Sequence, residues 1–147
     1  MCQTVGWFHP TLKSLFNKTF YKVLVSEKFG PYTIYKSPFM RMYVNIGETY
    51  IIPGKIDVKT YEEPQPNRQP YREIRAGVFH LMRNKKEAEE FMEYIRQKIK
   101  IHGWNETPVI VKAVVPAGTK FMFGTFGAYG SVVAKSVRYE LIDQNEK

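Results

Sequence analysis

Residues 75–115 read as apolar strand, turn, helix, turn, apolar strand, and this alternation most narrows what the chain can fold into. Asn84 is a good helix N-cap, and Glu87 stands three residues on, the spacing of a capping box. Ala88, Phe91, Met92, Ile95 and Ile99 follow at the spacing of one buried helical face. Glu89, Glu90, Glu93, Arg96, Lys98 and Lys100 fill the other face, acid early and base late, which complements the helix dipole. Gly103 stops the helix. The flanking runs 78–82 and 109–115 are almost continuously apolar, as strands inside a sheet are. Two arrangements satisfy this spacing: a parallel crossover, or a helix lying across an antiparallel sheet.

The first half is β-rich. Strand-sized runs at 20–25, 32–35, 42–44, 49–52 and 56–59 are punctuated by Gly30-Pro31, Ser37-Pro38 and Pro53-Gly54. Residues 11–17 fit a short helix with Leu12, Leu15 and Phe16 on one face. Residues 60–74 hold Pro64, Pro66 and Pro70 with few apolar residues, the pattern of a long exposed loop. Runs at 120–123, 132–134 and 137–142 close the sheet. The expected fold is one α+β domain over 20–142, with a mixed or mainly antiparallel sheet and one principal amphipathic helix. Residues 1–19 pack onto it, and 143–147 form a polar tail.

Composition removes several classes of function. A chain of 147 residues, 44% hydrophobic, can bury a core and is not a disordered chain. It has no apolar run near the length of a membrane span. Trp7, Phe8, Pro10 and Lys13 interrupt any signal-peptide core. The single cysteine excludes an internal disulfide framework and a cysteine-rich zinc site, and points to a reducing, cytoplasmic setting. His9, His80 and His102 show no metal-ligand spacing, so no metal and no cofactor is expected. Nucleophile-elbow, kinase and HExxH signatures are absent.

The net charge of +8 favours an anionic partner: nucleotide, nucleic acid, acidic protein or anionic membrane surface. Locally dense basic sets are Arg68, Arg72 and Arg75, then Arg83, Lys85 and Lys86. Residues 124–131 interleave Gly124, Gly127 and Gly130 with Phe126, Tyr129 and Ser131, a composition that can cradle a phosphate on backbone amides. It matches neither the Walker nor the dinucleotide pattern and no helix clearly follows it, so a hairpin loop packed by Phe126 and Tyr129 is the better fit. The abundant tyrosines and phenylalanines beside basic residues suit either base stacking or ordinary cross-strand packing.

One catalytic reading stands beside these. Removal of Met1 would expose Cys2 with a free α-amine to act as base for its thiol, and His80 would be the acid–base partner. The SRAP abasic-site proteins also begin Met-Cys, but Gly and Arg follow there, where this chain has Gln3 and Thr4.

The order of short motifs resembles a group of small uncharacterised proteins of bacteriophages, other large DNA viruses and some bacteria. The motifs are Met1-Cys2, Tyr21-Lys22-Val23-Leu24, Tyr35-x-Ser37-Pro38, Tyr43-x-x-x-Gly47-x-x-Tyr50, Gly77-Val78-Phe79-His80, Val115-Pro116-x-Gly118-Thr119 and Val133-Ala134. The likeness runs from Tyr21 to Ile142 and implies a viral or phage origin and the same small α+β domain. It brings no established activity, and residues 62–70 stand as an insertion. The expected function is a non-catalytic viral or phage accessory protein that binds an anionic partner, in the host cytoplasm or in the virion. The alternatives are a Cys2-dependent enzyme and a structural virion component.

Overall fold

The computed structural model describes residues 3–5, 10–39, 41–61, 71–74, 77–126 and 129–142. In chain order the strands are β1 (Gln3–Val5), β2 (Leu12–Lys13), β3 (Lys18–Phe29), β4 (Tyr32–Lys36), β5 (Tyr43–Val44), β6 (Thr49–Ile51), β7 (Lys59–Tyr61), β8 (Tyr71–Ile74) and β9 (Phe79–Met82). Helix α1 (Lys85–His102) follows, then β10 (Thr107–Val115), β11 (Lys120–Phe126), β12 (Tyr129–Ala134) and β13 (Ser136–Leu141). The result is a single antiparallel sheet, mostly strand, with one helix.

The sheet runs β6-β13-β10-β3-β9-β12-β11-β1-β8-β7, with β2 on β11 and β4–β5 beside β3. It contains its own closure. β12 and β13 are separated only by Lys135, yet β12 pairs with β9 and β13 with β10, on opposite sides of β3. One bent strand therefore bonds both flanks of the β9–β3–β10 trio and rolls the sheet into a small cylinder, which removes the open edges those strands would otherwise present. Lys135 pins the bend. Its Nζ donates to Gly77 O at 2.7 Å, its N–H to Lys120 O, and its carbonyl accepts from Ile52 N–H.

Strand alternation sorts the apolar residues by face. Phe20, Leu24, Leu81, Val111, Ala113, Phe121, Val132, Val137 and Tyr139 fill the inside of the roll. Val23, Val25 and Met82 face outward and take Ala88, Phe91, Ile95 and Ile99 of α1. Each large side chain so buried contributes about 1.5–3 kcal/mol. A third cluster, Ile56, Ile74, Met122 and Val133, covers the far side.

β9 and β10 are each antiparallel to β3, which lies between them. They therefore run in the same direction, and α1 is a crossover stepping over one strand. Both arrangements expected for this unit are present in part: crossover in connectivity, antiparallel in pairing. Asn84 caps the helix, its Oδ1 accepting from Glu87 N–H at 2.8 Å. Glu87 Oε2 is buried without a hydrogen bond, so that oxygen does not close the reciprocal half of the capping box. Gly103 adopts φ +69° and donates to Ile99 and Lys100 carbonyls.

Several expectations need correction. Residues 11–17 are not helical. Leu12–Lys13 pairs with β11, and a bend follows, because Ser14 has a better use for its polar groups in tying this segment to the 116–119 turn. No strand spans 56–59; β7 starts at Lys59 and pairs with β8, so the ends of the expected 60–74 loop are strand. Residues 62–70 lie outside the described residues. β3 is twice the expected strand, because its second half carries the β4 hairpin. Gln3–Val5, expected only to pack on the domain, is a strand between β11 and β8.

Candidate functional site

Of the glycine-rich 124–131 segment, residues 124–126 and 129–131 are strand, and 127–128 lie outside the described residues. β11 continues to Phe126 and β12 starts at Tyr129, with Gly124↔Ser131, Thr125↔Gly130 and Phe126↔Tyr129 in register. Their backbone groups belong to the β11–β12 ladder, which leaves fewer amides of these residues free than a loop would. Tyr129 packs edge-on against Phe91 of α1 at 5.5 Å, and Ser131 is buried. Gly127 lies outside the described residues.

Gly130 has a different use. A Cβ there would stand 2.7–2.9 Å from three atoms of the Arg83 guanidinium group. The Arg83 side chain therefore lies flat over the β12 backbone, and Arg83 N–H donates to Gly130 O at 3.2 Å. Arg83 and the 124–131 region, separate in sequence, are thus one site. Lys85 and Lys86 start the adjoining helix, half-buried and exposed respectively. They share that turn with Glu87, Glu89 and Glu90, and Asn84 already occupies an end amide, so the helix N-terminus does not add a free anion site. Of the other basic set, Arg72 is on β8, opposite Val5 and Thr60. Arg68, Arg75 and Cys2 lie outside the described residues.

Beside Arg83 the inner face is aromatic. Phe20 packs on Phe121 and on Phe123, each at 6.1 Å, and Phe121 meets Phe123 edge-on at 5.6 Å. Lys18 Nζ stands over the Phe121 ring at 5.6 Å from its centroid. Residues 1–26 contain no Asp or Glu, and neither do residues 107–139. The acids are used elsewhere. Glu106, its side chain 3% exposed, pairs with Lys36 at 3.0 Å and Arg41 at 2.7 Å, and Lys36 also reaches Glu27 at 3.1 Å. Glu93 and Glu140 pair with Arg96 and Arg138. Among the described residues, Lys13, Lys18, Arg83 and Lys120 make no ion pair.

His80 is on β9, opposite Val133. Burial, with the charge of Lys22 adding to it, pushes its imidazole down to about 4. It is neutral near pH 7 and a weaker base than an ordinary histidine, below the range where a general base works best. Lys22 is itself unusual. Its ammonium donates to His80 O at 2.8 Å, and burial pushes it down to about 8. Lys22 as a whole is half-buried on β3.

The Arg83–Gly130 pairing and Lys18 over its phenylalanines were not readable in advance, since they rest on the register Thr125↔Gly130 and on the roll of the sheet. The stretches without acid were a usable signal. Among the described residues, no group of three or more His, Cys, Asp or Glu is placed to hold a metal ion, and no helix is long and apolar enough to cross a membrane. No protein-family model, curated protein or solved structure matches the chain.

Proposed function

We propose that this chain is a non-catalytic binding module for a phosphate-bearing ligand, nucleic acid or nucleotide, held at the Arg83 guanidinium, with Lys18 adding positive charge. The observation that carries the reading is the Arg83 guanidinium, fixed over the Gly130 backbone with no acidic partner among the described residues. Guanidinium recognises phosphate through paired N–H donors, while Phe20 and Phe121 are buried in the core of the roll and offer no face to a base. An acidic protein surface is the other anionic partner to which the site is suited. The setting that accompanies this reading is the one implied by the sequence resemblance: an accessory protein of a phage or large DNA virus, in host cytoplasm or virion. The Cys2 nucleophile reading draws no support from His80, whose imidazole is held too weakly basic.

The test is fluorescence anisotropy with a labelled single-stranded oligonucleotide across a salt series. Binding weakens linearly on a log–log plot as salt rises, and Arg83→Ala lowers the slope by about 1. Gly130→Ala pushes the guanidinium aside and weakens binding without altering Arg83 itself. Wild-type affinity in both variants refutes the site.

A further inference from the structure

The two most exposed large apolar side chains among the described residues are neighbours: Leu15, 81% exposed, and Phe16, 78%. They sit on the bend between β2 and β3, where residues 15–19 are all exposed. The bend is held firmly. Ser14, 2% exposed, donates Oγ–H to Pro116 O at 2.7 Å, and its Oγ accepts from Thr119 N–H at 3.0 Å. Ser14 N–H donates to Thr119 O, and Gly118 N–H donates to Ser14 O. Asn17 Oδ1 accepts from Ala117 N–H at 3.0 Å. Apolar residues on a pinned, exposed bend are held out in solvent by the fold itself.

Lysines surround them. Lys13 and Lys120 are directly opposed in the β2–β11 pair, an arrangement of like charges that costs stability in a sheet. Lys18 stands on the other side, over Phe121. No acid occurs in either of the segments that build this end of the molecule.

We infer that the Leu15–Phe16 bend is a docking tip for an anionic lipid bilayer, with the two side chains entering the interface and Lys13, Lys18 and Lys120 meeting the headgroups. Size and charge select this occupant. A stable protein interface needs about 800 Å² from each partner, several times what two side chains offer. A polyanion in water gains nothing from an exposed Leu. A bilayer rewards both features at once, and neither alone anchors well. Each lysine contributes about five-fold to partition onto anionic lipid, and each inserted apolar side chain roughly ten-fold. This tip shares Lys18 with the site proposed above, but Leu15, Phe16, Lys13 and Lys120 lie outside that site and the inference does not depend on Arg83.

The test is flotation of the full chain with phosphatidylcholine vesicles, with and without phosphatidylserine. The wild type floats only with phosphatidylserine present. Leu15→Ser with Phe16→Ser, and separately Lys13→Glu with Lys18→Glu and Lys120→Glu, each reduce the bound fraction more than ten-fold. Phe16→Trp shifts its emission to the blue on the same vesicles. Thermal midpoints check that the fold survives, as exposed positions allow. Flotation of the Leu15/Phe16 double variant equal to wild type, or an unshifted Phe16→Trp spectrum, overturns the inference. So does oligonucleotide binding lost in the lysine variant with no vesicle binding in the wild type; that result leaves the phosphate-ligand reading standing. Self-association abolished by the double variant, without flotation, makes the tip a contact between copies and also overturns it.

Discussion

At the scale of single residues, burial and charge give opposite pH signatures at two places. Burial disfavours ionised Glu106, but the hydrogen bonds from Arg41 and Lys36 outweigh it and hold the carboxyl below its ordinary value of 4.5. A carboxyl lowered in the folded state contributes stability that is full above 4.5 and is lost as pH falls through the folded value. The Glu106 hydrogen bond, then that of Glu27, holds Lys36 above 10.5, so its share is full below 10.5 and lost above the folded value. Glu106→Gln lowers stability at neutral pH by about 1–3 kcal/mol and flattens the acid limb, read from urea midpoints against pH. Arg41 is a third exposed, so water screens its part of the pair. Lys22 behaves in reverse. Its folded value near 8 lies below 10.5, so charging it costs stability that is fully lost below pH 8 and recovered as pH rises to 10.5. Lys22→Met lacks that rise. Ser14→Ala leaves Thr119 N–H without its side-chain acceptor and costs about 1–3 kcal/mol.

Elements show what could be read in advance. Helix α1 was legible because its signals are local: Asn84, the apolar spacing and Gly103 lie within one stretch. Asn84→Ala costs about 1 kcal/mol in unfolding free energy, as loss of a cap does. Strands 107–115 and 79–82 were legible as apolar runs. The Thr11–Asn17 error shows the limit. Leu12, Leu15 and Phe16 have helical spacing, but Ser14 and Asn17 find partners a hundred residues away, and tertiary hydrogen bonds override a short local pattern. The glycines at 124 and 130 misled for a related reason: their positions answer to a partner strand and to Arg83, neither of which their neighbours in sequence reveal. Arg83, Lys85 and Lys86 were chosen for density alone, and only register decides that Arg83 turns onto the sheet while the other two join an acidic helix turn.

For the whole molecule, the net charge of +8 is unevenly laid out. Acids cluster on α1 and around Lys36 and Arg41, while residues 1–26 and 107–139, which build the β2–β11 end, contain none, an asymmetry that would steer the proposed anionic partner toward that end. The bent strand through Lys135 has a temporal consequence. During synthesis β3 emerges early, yet its long partner β10 lies some ninety residues later (Lys18↔Val115), and the cylinder closes only when residues 129–141 arrive. Before β10 arrives, this twelve-residue strand has only its β4 hairpin, a short pairing with β9 and the face of α1 for company. Chains whose pairings span such distances fold slowly and expose sticky edges meanwhile. The 129–141 stretch is therefore the latch, and a nascent chain stalled before Lys135 would be a substrate for chaperones rather than a working protein.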